Sequence, residues 1–132
     1  MSPEEIAVLD ANSAFYRAFA ARDLEAMEGL WATGTPVACL HPGWDVLRGR
    51  EAVMASWRSL LEGDAPAISC GAASAHVAGD VAWVVCRERI SGAPAVAATN
   101  VFVRERGAWR ICHHHAGLVA QAANERPPGA MA

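Results

Sequence analysis

The sequence predicts an α+β fold in which three N-terminal helices pack on a strongly curved, mostly antiparallel sheet. Up to residue 63, apolar residues recur mainly at the spacing of helices, interrupted by two short strand-like segments. From residue 67 onward the period changes to two, which is the spacing of half-buried strands. Glycine-containing dipeptides at 79–80, 91–92 and 106–107 divide this second half into four long segments, as hairpin turns do.

The three predicted helices have recognisable first and last residues. Ser2 can cap the first helix and Glu5 completes a capping box, so we expect a helix from there to about residue 21 or 22. Asp23 is placed to cap a second, shorter helix, LEAMEGLWA, which should end near the pair Thr33-Gly34. The third helix, REAVMASWRSLLEG, has apolar residues at helical spacing and ends at Gly63.

Six strands are predicted, two short and four long. TPVACLH and VLRG flank the turn PGWD, and the long strands cover about residues 67–78, 81–91, 95–106 and 108–119. Long antiparallel strands twist and curl, so the sheet should form a cone-shaped half-barrel with a central pocket closed by the helices. Residues 1–120 then form one domain, and 121–132 form a flexible C-terminal tail.

The bulk composition argues against several classes of function. The chain has 132 residues, a net charge of −3 and no basic cluster, so we expect no nucleic-acid partner. No apolar run approaches the ~20 residues that span a bilayer, and the N-terminus lacks a secretion signal, so we expect a cytoplasmic protein without a membrane partner. The four cysteines are far apart and are interpreted as small buried hydrophobic residues. Nucleotide-binding and serine-hydrolase motifs are absent, so any catalysis is expected to need no cofactor.

Side-chain alternation along the last strand divides its three consecutive histidines between two faces. His113 and His115 share a face with Trp109 and Ile111, so they are predicted to point into the pocket. His114 is predicted to lie on the outer face, at a dimer contact or in solvent.

The same rule places two more polar side chains in the pocket. Glu88 shares a face with Val84 and Cys86, and Asn100 shares one with Phe102, an aromatic residue that favours the interior. Because burial raises a carboxyl pKa and histidine titrates near neutral pH, a histidine paired with Glu88 is suited to transfer a proton. We therefore predict His113, His115 and Glu88 as catalytic residues and Asn100 as a ligand-binding residue.

The first helix and the turn after the first strand supply the other predicted ligand-binding residues. Asn12 and Tyr16 lie on the apolar side of the helix, and His41 and Trp44 lie in the turn HPGW at the mouth of the pocket. Polar groups that converge in an apolar pocket are typical of a binding site, but a closed hydrogen-bond network that only fixes the packing would use the same residues. A metal ion bound by the alternate histidines with His41 or Glu88 is the less favoured alternative, so the expected site contains no metal.

The chain resembles the NTF2-like superfamily, and within it the SnoaL-like and ketosteroid-isomerase-like small domains, in the stretches ANSAFYRAFAARDLEAMEGLW, CLHPGWDVLRGREAVMASW, GDVAWVVCRE and ATNVFVRERGAWRICHHHA. The resemblance implies a conical cavity between helices and sheet, and dimers formed through the outer face of the sheet. It implies no single activity, because the superfamily includes isomerases, dehydratases, cyclases and non-catalytic proteins. The acid and base residues of the ketosteroid isomerases have no residue-by-residue match in this chain.

Three hypotheses follow for the function. The first is an isomerase, dehydratase or cyclase that binds a small apolar organic ligand and uses a His–Glu pair, with Asn100 and Tyr16 stabilising an oxyanion. The second is a ligand-binding or structural dimer without catalysis, and the third is an association domain whose outer face recruits a partner chain. An apolar patch on that face favours a homodimer under each hypothesis; its members are Trp83, Val85, Thr99 and Val101.

Overall fold

Three helices cover one face of a six-stranded sheet that curls without closing into a barrel. The computed structural model describes residues 1–64, 66, 68–90 and 92–120, so the predicted tail over 121–132 lies outside the described residues. The four long strands differ from their predicted bounds by one residue or none. The elements in chain order are α1 (Pro3–Ala20), α2 (Leu24–Leu30), β1 (Ala38–Leu40), β2 (Leu47–Arg48), α3 (Arg50–Glu62), β3 (Ile68–Ala78), β4 (Val81–Ile90), β5 (Val96–Glu105) and β6 (Ala108–Leu118).

Side-chain caps fix where α1 and α2 begin. The Ser2 hydroxyl accepts the backbone N–H of Glu5 at 3.1 Å, and the Glu5 carboxylate accepts the backbone N–H of Ser2 at 3.3 Å, which confirms the predicted capping box. Asp23 accepts the backbone N–H of Ala26 at 3.0 Å and caps α2 in the same way. These caps set the register of α1, so that its buried side, with Asn12 and Tyr16, faces the sheet.

β5 and β6 lie in the middle of the sheet, whose strand order is β2-β1-β6-β5-β4-β3. β1 pairs with β6 in parallel and all other neighbours are antiparallel. The space between sheet and helices is filled with aromatic rings: the centroid of Phe15 on α1 lies 5.4 Å from that of Trp57 on α3, and Phe19 contacts the same indole at 5.2 Å. These rings lie where the sequence places the pocket, so an open pocket stays a prediction.

A β-bulge in β6 changes which histidine points inward. Phe102 on β5 pairs with Ile111, but the preceding Val101 pairs with His113, so Cys112 is an extra residue without a partner of its own on β5. Before the bulge, Ile111 is buried, and after it the buried residues are His114 and Ala116.

The predicted orientation of the three histidines is therefore wrong. His114, predicted on the outer face, is 2% exposed and points into the interior, whereas His113 is half-buried and His115 exposed on the outer face. The physical reason is the inserted residue, because one extra residue shifts the alternation of every side chain that follows it.

The described helices and cysteines bear on two further expectations. No helix in the described ranges is long and apolar enough to cross a membrane. All four cysteines are free thiols. Cys39 and Cys86 are buried, which confirms their interpretation as small core residues, whereas Cys70 and Cys112 are only half-buried.

Candidate functional site

A cluster of buried polar side chains lies between α1 and the concave face of the sheet. Asn12 and Tyr16 come from α1, Glu88 from β4, Asn100 from β5 and His114 from β6. Each of the five is at most 5% exposed. Polar groups as deeply buried as these must find partners within the protein, so their contacts define what the cluster can do.

The Asn100 side chain is the centre of the hydrogen-bond network. Its amide nitrogen donates to Oδ1 of Asn12 at 2.8 Å and to the hydroxyl oxygen of Tyr16 at 3.1 Å. Its carbonyl oxygen accepts Nδ1–H of His114, the residue directly opposite on β6, at 2.5 Å. Asn100 therefore uses both amide hydrogens and its oxygen, and it fixes the positions of three other side chains.

Glu88 is a buried carboxyl group with a single close donor among the described residues. Oε2 of Glu88 accepts the Tyr16 hydroxyl at 2.7 Å and lies 3.8 Å from Nε2 of His114. Burial raises the pKa of Glu88 above its usual value, and the hydrogen bond from Tyr16 opposes that increase only in part. Glu88 is thus suited to hold a proton at a pH where an exposed glutamate has lost it.

His114 is a neutral imidazole whose tautomer follows from its partner. Since the Asn100 oxygen can only accept, Nδ1 of His114 carries the proton and Nε2 keeps a lone pair on the side of Glu88. Burial, and then the nearby imidazoles of His41, His113 and His115, lower the pKa of His114 to about 3. The cluster therefore places an unprotonated nitrogen beside a carboxyl group whose pKa is shifted the opposite way.

A second buried histidine links the cluster to the surface. Nε2–H of His41 donates to the Ser56 hydroxyl at 2.9 Å, because that hydroxyl itself donates to the carbonyl oxygen of Val53 at 2.7 Å. Burial lowers the pKa of His41 to about 4. The His41 ring lies 6.2 Å from His114 on one side and 4.9 Å from Trp44 on the other, measured between ring centroids.

The turn that carries Trp44 has the geometry that its sequence favours. The backbone N–H of Trp44 donates to the backbone carbonyl oxygen of His41 at 2.9 Å. Gly43 has φ +82°, as a Pro-Gly turn requires at its third position. Trp44 itself is 44% exposed. The rings of Trp44, His41 and His114 therefore form a row that begins at the solvent and ends at the cluster.

Two thiols border the cluster. Cys86 Sγ lies 3.4 Å from the Tyr16 hydroxyl, and Cys70 Sγ accepts the side-chain N–H of Asn12 at 3.6 Å. Burial raises the pKa of Cys86 to about 12, so its thiol stays protonated near neutral pH and is a poor nucleophile. Burial raises the pKa of Tyr16 as well, so that its hydroxyl remains a donor.

Five of the eight predicted site residues are buried: the predicted burial of Asn12, Tyr16, Glu88 and Asn100 is confirmed, and His41, predicted at the mouth of the pocket, is buried as well. These five predicted residues do not all hydrogen-bond to one another. His41 pairs with Ser56 and is connected to the cluster only through its ring contacts. His113 and His115 are absent from the cluster and His114 takes their place. The roles assigned to all these residues remain predictions.

Sequence reasoning missed two residues, His114 and Ser56. A run of three histidines has no polarity contrast, so nothing in it shows where the alternation shifts. The burial of Ser56 was weakly indicated by its position, since it is next to Trp57 and three residues from Val53 on the buried side of α3.

Three hollows on the surface lie away from the cluster. Hollows of about 870, 660 and 290 Å³ are lined by other described residues, and none of the five cluster residues lines them. Among the residues that the structure describes, no group of three or more His, Cys, Asp or Glu side chains is arranged to hold a metal ion. Since each of the five cluster residues is at most 5% exposed, a ligand that touches them must displace side chains that cover them.

The chain belongs to the SnoaL-like domain family, whose sequence pattern matches residues 8–121. Among solved structures, it is similar to an NTF2-like family protein from Streptomyces avermitilis that is described as a candidate dehydratase. The two share 34% identity at a TM-score of 0.82, over 89% of this chain and 97% of the other. The family match and this structure together establish the NTF2-like fold, which was predicted.

Two further relatives carry different descriptions. A protein from Thiobacillus denitrificans, described as a candidate calcium/calmodulin-dependent protein kinase type II association domain, is 35% identical with a TM-score of 0.75, over 89% of this chain and 95% of that one. The F-box protein SKIP8 of Arabidopsis thaliana is 27% identical over 116 residues. That match covers 86% of this chain, which spans only half the length of the plant protein.

The central position of Asn100 leads to a prediction about stability. Asn100→Ala removes one hydrogen bond from each of Asn12, Tyr16 and His114, so we expect the free energy of unfolding to fall by about 2–4 kcal/mol. Urea unfolding followed by tryptophan fluorescence measures this loss. The neighbouring substitution Thr99→Ala, on the outer face, is the control and should cost less than about 1 kcal/mol. Equal losses in the two variants would contradict the central role of Asn100.

The lowered pKa of His114 leads to a prediction about pH. Its value falls from 6.5 to about 3 on folding, so the unfolded chain binds the extra proton and stability decreases as the pH drops below about 6.5. Glu88 acts in the opposite sense, because a raised pKa favours the folded state at low pH. We expect urea unfolding to show a smaller loss between about pH 7 and about pH 5 in His114→Gln than in the wild type. An imidazole of His114 that titrates near pH 6.5 by NMR would refute the prediction.

Proposed function

We propose that the domain binds a small, largely apolar organic molecule beside the buried polar cluster and catalyses a proton transfer there, as an isomerase, dehydratase or cyclase does. One observation carries the proposal. A carboxyl group and a neutral imidazole lie 3.8 Å apart, each 2% exposed, and burial shifts their pKa values in opposite directions. Pairs of titratable groups separated in this way are typical of acid–base sites.

A purely structural role explains Glu88 less well. A glutamine at this position could accept the Tyr16 hydroxyl equally well without the cost of burying an ionisable group. The one ion-pair partner of Glu88 among the described residues is His114, whose lowered pKa leaves it neutral. Ionisable groups buried without compensation are concentrated at functional sites.

The contacts suggest a role for each member of the cluster. Nε2 of His114 would accept a proton from the carbon next to a carbonyl group, and protonated Glu88 would donate one to the carbonyl oxygen or to a departing hydroxyl. When Glu88 donates to the carbonyl oxygen, the carbon–oxygen double bond is replaced by a carbon–carbon double bond. When it donates to a departing hydroxyl, water is released and a carbon–carbon double bond is left. Asn100 and Tyr16 use their donors within the cluster, so they act as positioning residues for His114 and Glu88 and not as oxyanion donors.

The surroundings of the cluster suit an apolar ligand with one polar group. The rings of Phe15 and Trp57 lie 5.1 Å and 6.0 Å from that of His114. Trp57 also has a buried indole N–H without an acceptor among the described residues, so it could donate to a ligand oxygen. Entry beside the turn with Trp44 would require these rings to shift. The description of the Streptomyces relative as a candidate dehydratase supports the same class of reaction.

Exchange of carbon-bound protons tests this activity without a known substrate. In D2O, a base that removes the α-protons of a small cyclic ketone causes them to be replaced by deuterium from the solvent. The loss of the α-proton signal in 1H NMR measures the rate of this exchange. We expect the wild type to accelerate exchange for some members of a ketone panel by about 10²-fold or more over buffer. Glu88→Gln and His114→Gln should both lose that acceleration, since each removes one proton-transfer group and keeps a side chain of similar size.

Thr99→Ala serves as the matched control for exchange, because its side chain lies on the outer face and should leave the rate unchanged. Circular dichroism checks that the two glutamine variants remain folded. If the wild type is no faster than either glutamine variant across the panel, the catalytic proposal fails.

A second function, self-association, is favoured by the outer face of the sheet. Val81, Trp83 and Val85 on β4 are 42%, 38% and 44% exposed and form one apolar row. Monomeric proteins rarely expose a row of this kind, and a second copy of the same face would cover it. The relative described as a candidate kinase association domain supports this proposal. Dimerisation and catalysis are compatible, because they use opposite faces of the sheet.

Analytical ultracentrifugation tests the dimer. We expect the wild type to sediment as a dimer and Trp83→Glu as a folded monomer, because a charge in the centre of the contact would lose its hydration without a partner. Ile6→Glu is the matched control, since Ile6 is 48% exposed on α1, away from the sheet. A monomeric wild type, or a variant at Trp83 that still dimerises, would count against this interface.

A further inference from the structure

We propose that His113 and His115 form a two-histidine chelate for a divalent first-row transition-metal ion on the outer face of the sheet. The bulge at Cys112 turns both imidazoles to this face, which is opposite to the buried cluster. The inference is independent of the proposed acid–base activity, because it uses different residues on the other side of β6. The chelate is also separate from the apolar row of the proposed dimer, which lies on β4 with β5 in between.

The two rings are close to the separation that a shared ion requires. They belong to alternate residues of one strand, and their centroids lie 6.3 Å apart. Metal–nitrogen bonds of about 2.0–2.1 Å bring two imidazole centroids to about 5 Å in tetrahedral geometry and to about 4.5 Å in the square-planar geometry that Cu²⁺ prefers. A shift of about 1–2 Å, within the reach of side-chain rotation, therefore lets both nitrogens bind the same ion.

The backbone that carries the two histidines is held on both sides. His113 lies between Ala38 on β1 and Val101 on β5, and His115 lies between Leu40 and Thr99 in the same way. A central strand keeps the two Cβ atoms at a fixed separation, so little conformational entropy is lost when an ion binds.

The electrostatic surroundings leave both imidazoles available as ligands. Neither ring hydrogen-bonds or forms an ion pair with another side chain in the part of the chain that the structure describes. Their four cross-strand neighbours carry no charge that would repel a cation.

The number of ligands determines which ions bind and how firmly. Two imidazole nitrogens favour Cu²⁺ over Ni²⁺ and Zn²⁺, following the usual order of stability for these ions. Since the described residues offer no group of three ligands, water fills the remaining positions. We therefore expect an exchangeable ion and not a structural one.

Isothermal titration calorimetry of the untagged protein with CuCl2 tests the chelate at neutral pH. We expect one Cu²⁺ ion per chain in the wild type and weaker binding of Zn²⁺. His113→Ala and His115→Ala should each lower the Cu²⁺ affinity by about tenfold or more, because the second bond of the chelate is lost. His76→Ala is the control, since His76 is on the same face but stacked on Trp83, and it should leave the affinity unchanged.

Two results would overturn the proposal. Equal Cu²⁺ affinity in the wild type and in His115→Ala would show an adventitious ion only, and so would a loss confined to His76→Ala. The proton-exchange assay keeps this test separate from that of the acid–base activity, because Glu88→Gln, on β4 and away from both histidines, should lose exchange and keep the wild-type Cu²⁺ affinity.

Discussion

The extra residue at Cys112 is the constraint on which the arrangement of the site depends. Without it, regular alternation from Ile111 would turn His113 inward, opposite Asn100, and leave His114 on the outer face. With it, His114 lies directly opposite Asn100, and the two side chains form the shortest contact of the cluster. One inserted residue thus decides which imidazole is buried with a lowered pKa and which two stay near solvent.

The contact between His114 and Asn100 also fixes where the protons are. The amide nitrogen of Asn100 is committed to Asn12 and Tyr16, so its oxygen faces β6 and selects the Nδ1–H tautomer of His114. The lone pair on Nε2 is then left on the side of Glu88. Because the Asn100 carboxamide bonds to both α1 and β6, the position of α1 determines where Nε2 of His114 lies.

Strand alternation predicted this site to the extent that the strands are regular. β4 and β5 alternate without interruption over the residues that matter, so the inward positions of Glu88 and Asn100 could be read from the sequence. α1 was equally predictable, because its cap and its apolar side are local properties that place Asn12 and Tyr16. The bulge in β6 is a property of the pairing with β5, and the uniformly polar run of histidines contains no contrast that would locate it. The packing of Phe15 and Trp57 was also beyond the sequence, since it depends on three elements meeting in space.

The same burial that shifts the pKa values of Glu88 and His114 also limits access to them. Filling the space around His114 with Phe15 and Trp57 excludes water, which lowers the dielectric constant and separates the two pKa values. A pocket left open to solvent would admit ligands easily but would return both groups towards their ordinary pKa values. A ligand that replaces these rings with its own apolar surface would keep water out and preserve the shifts. A proton-transfer site of this kind is therefore best matched by a ligand as apolar as the side chains that it displaces.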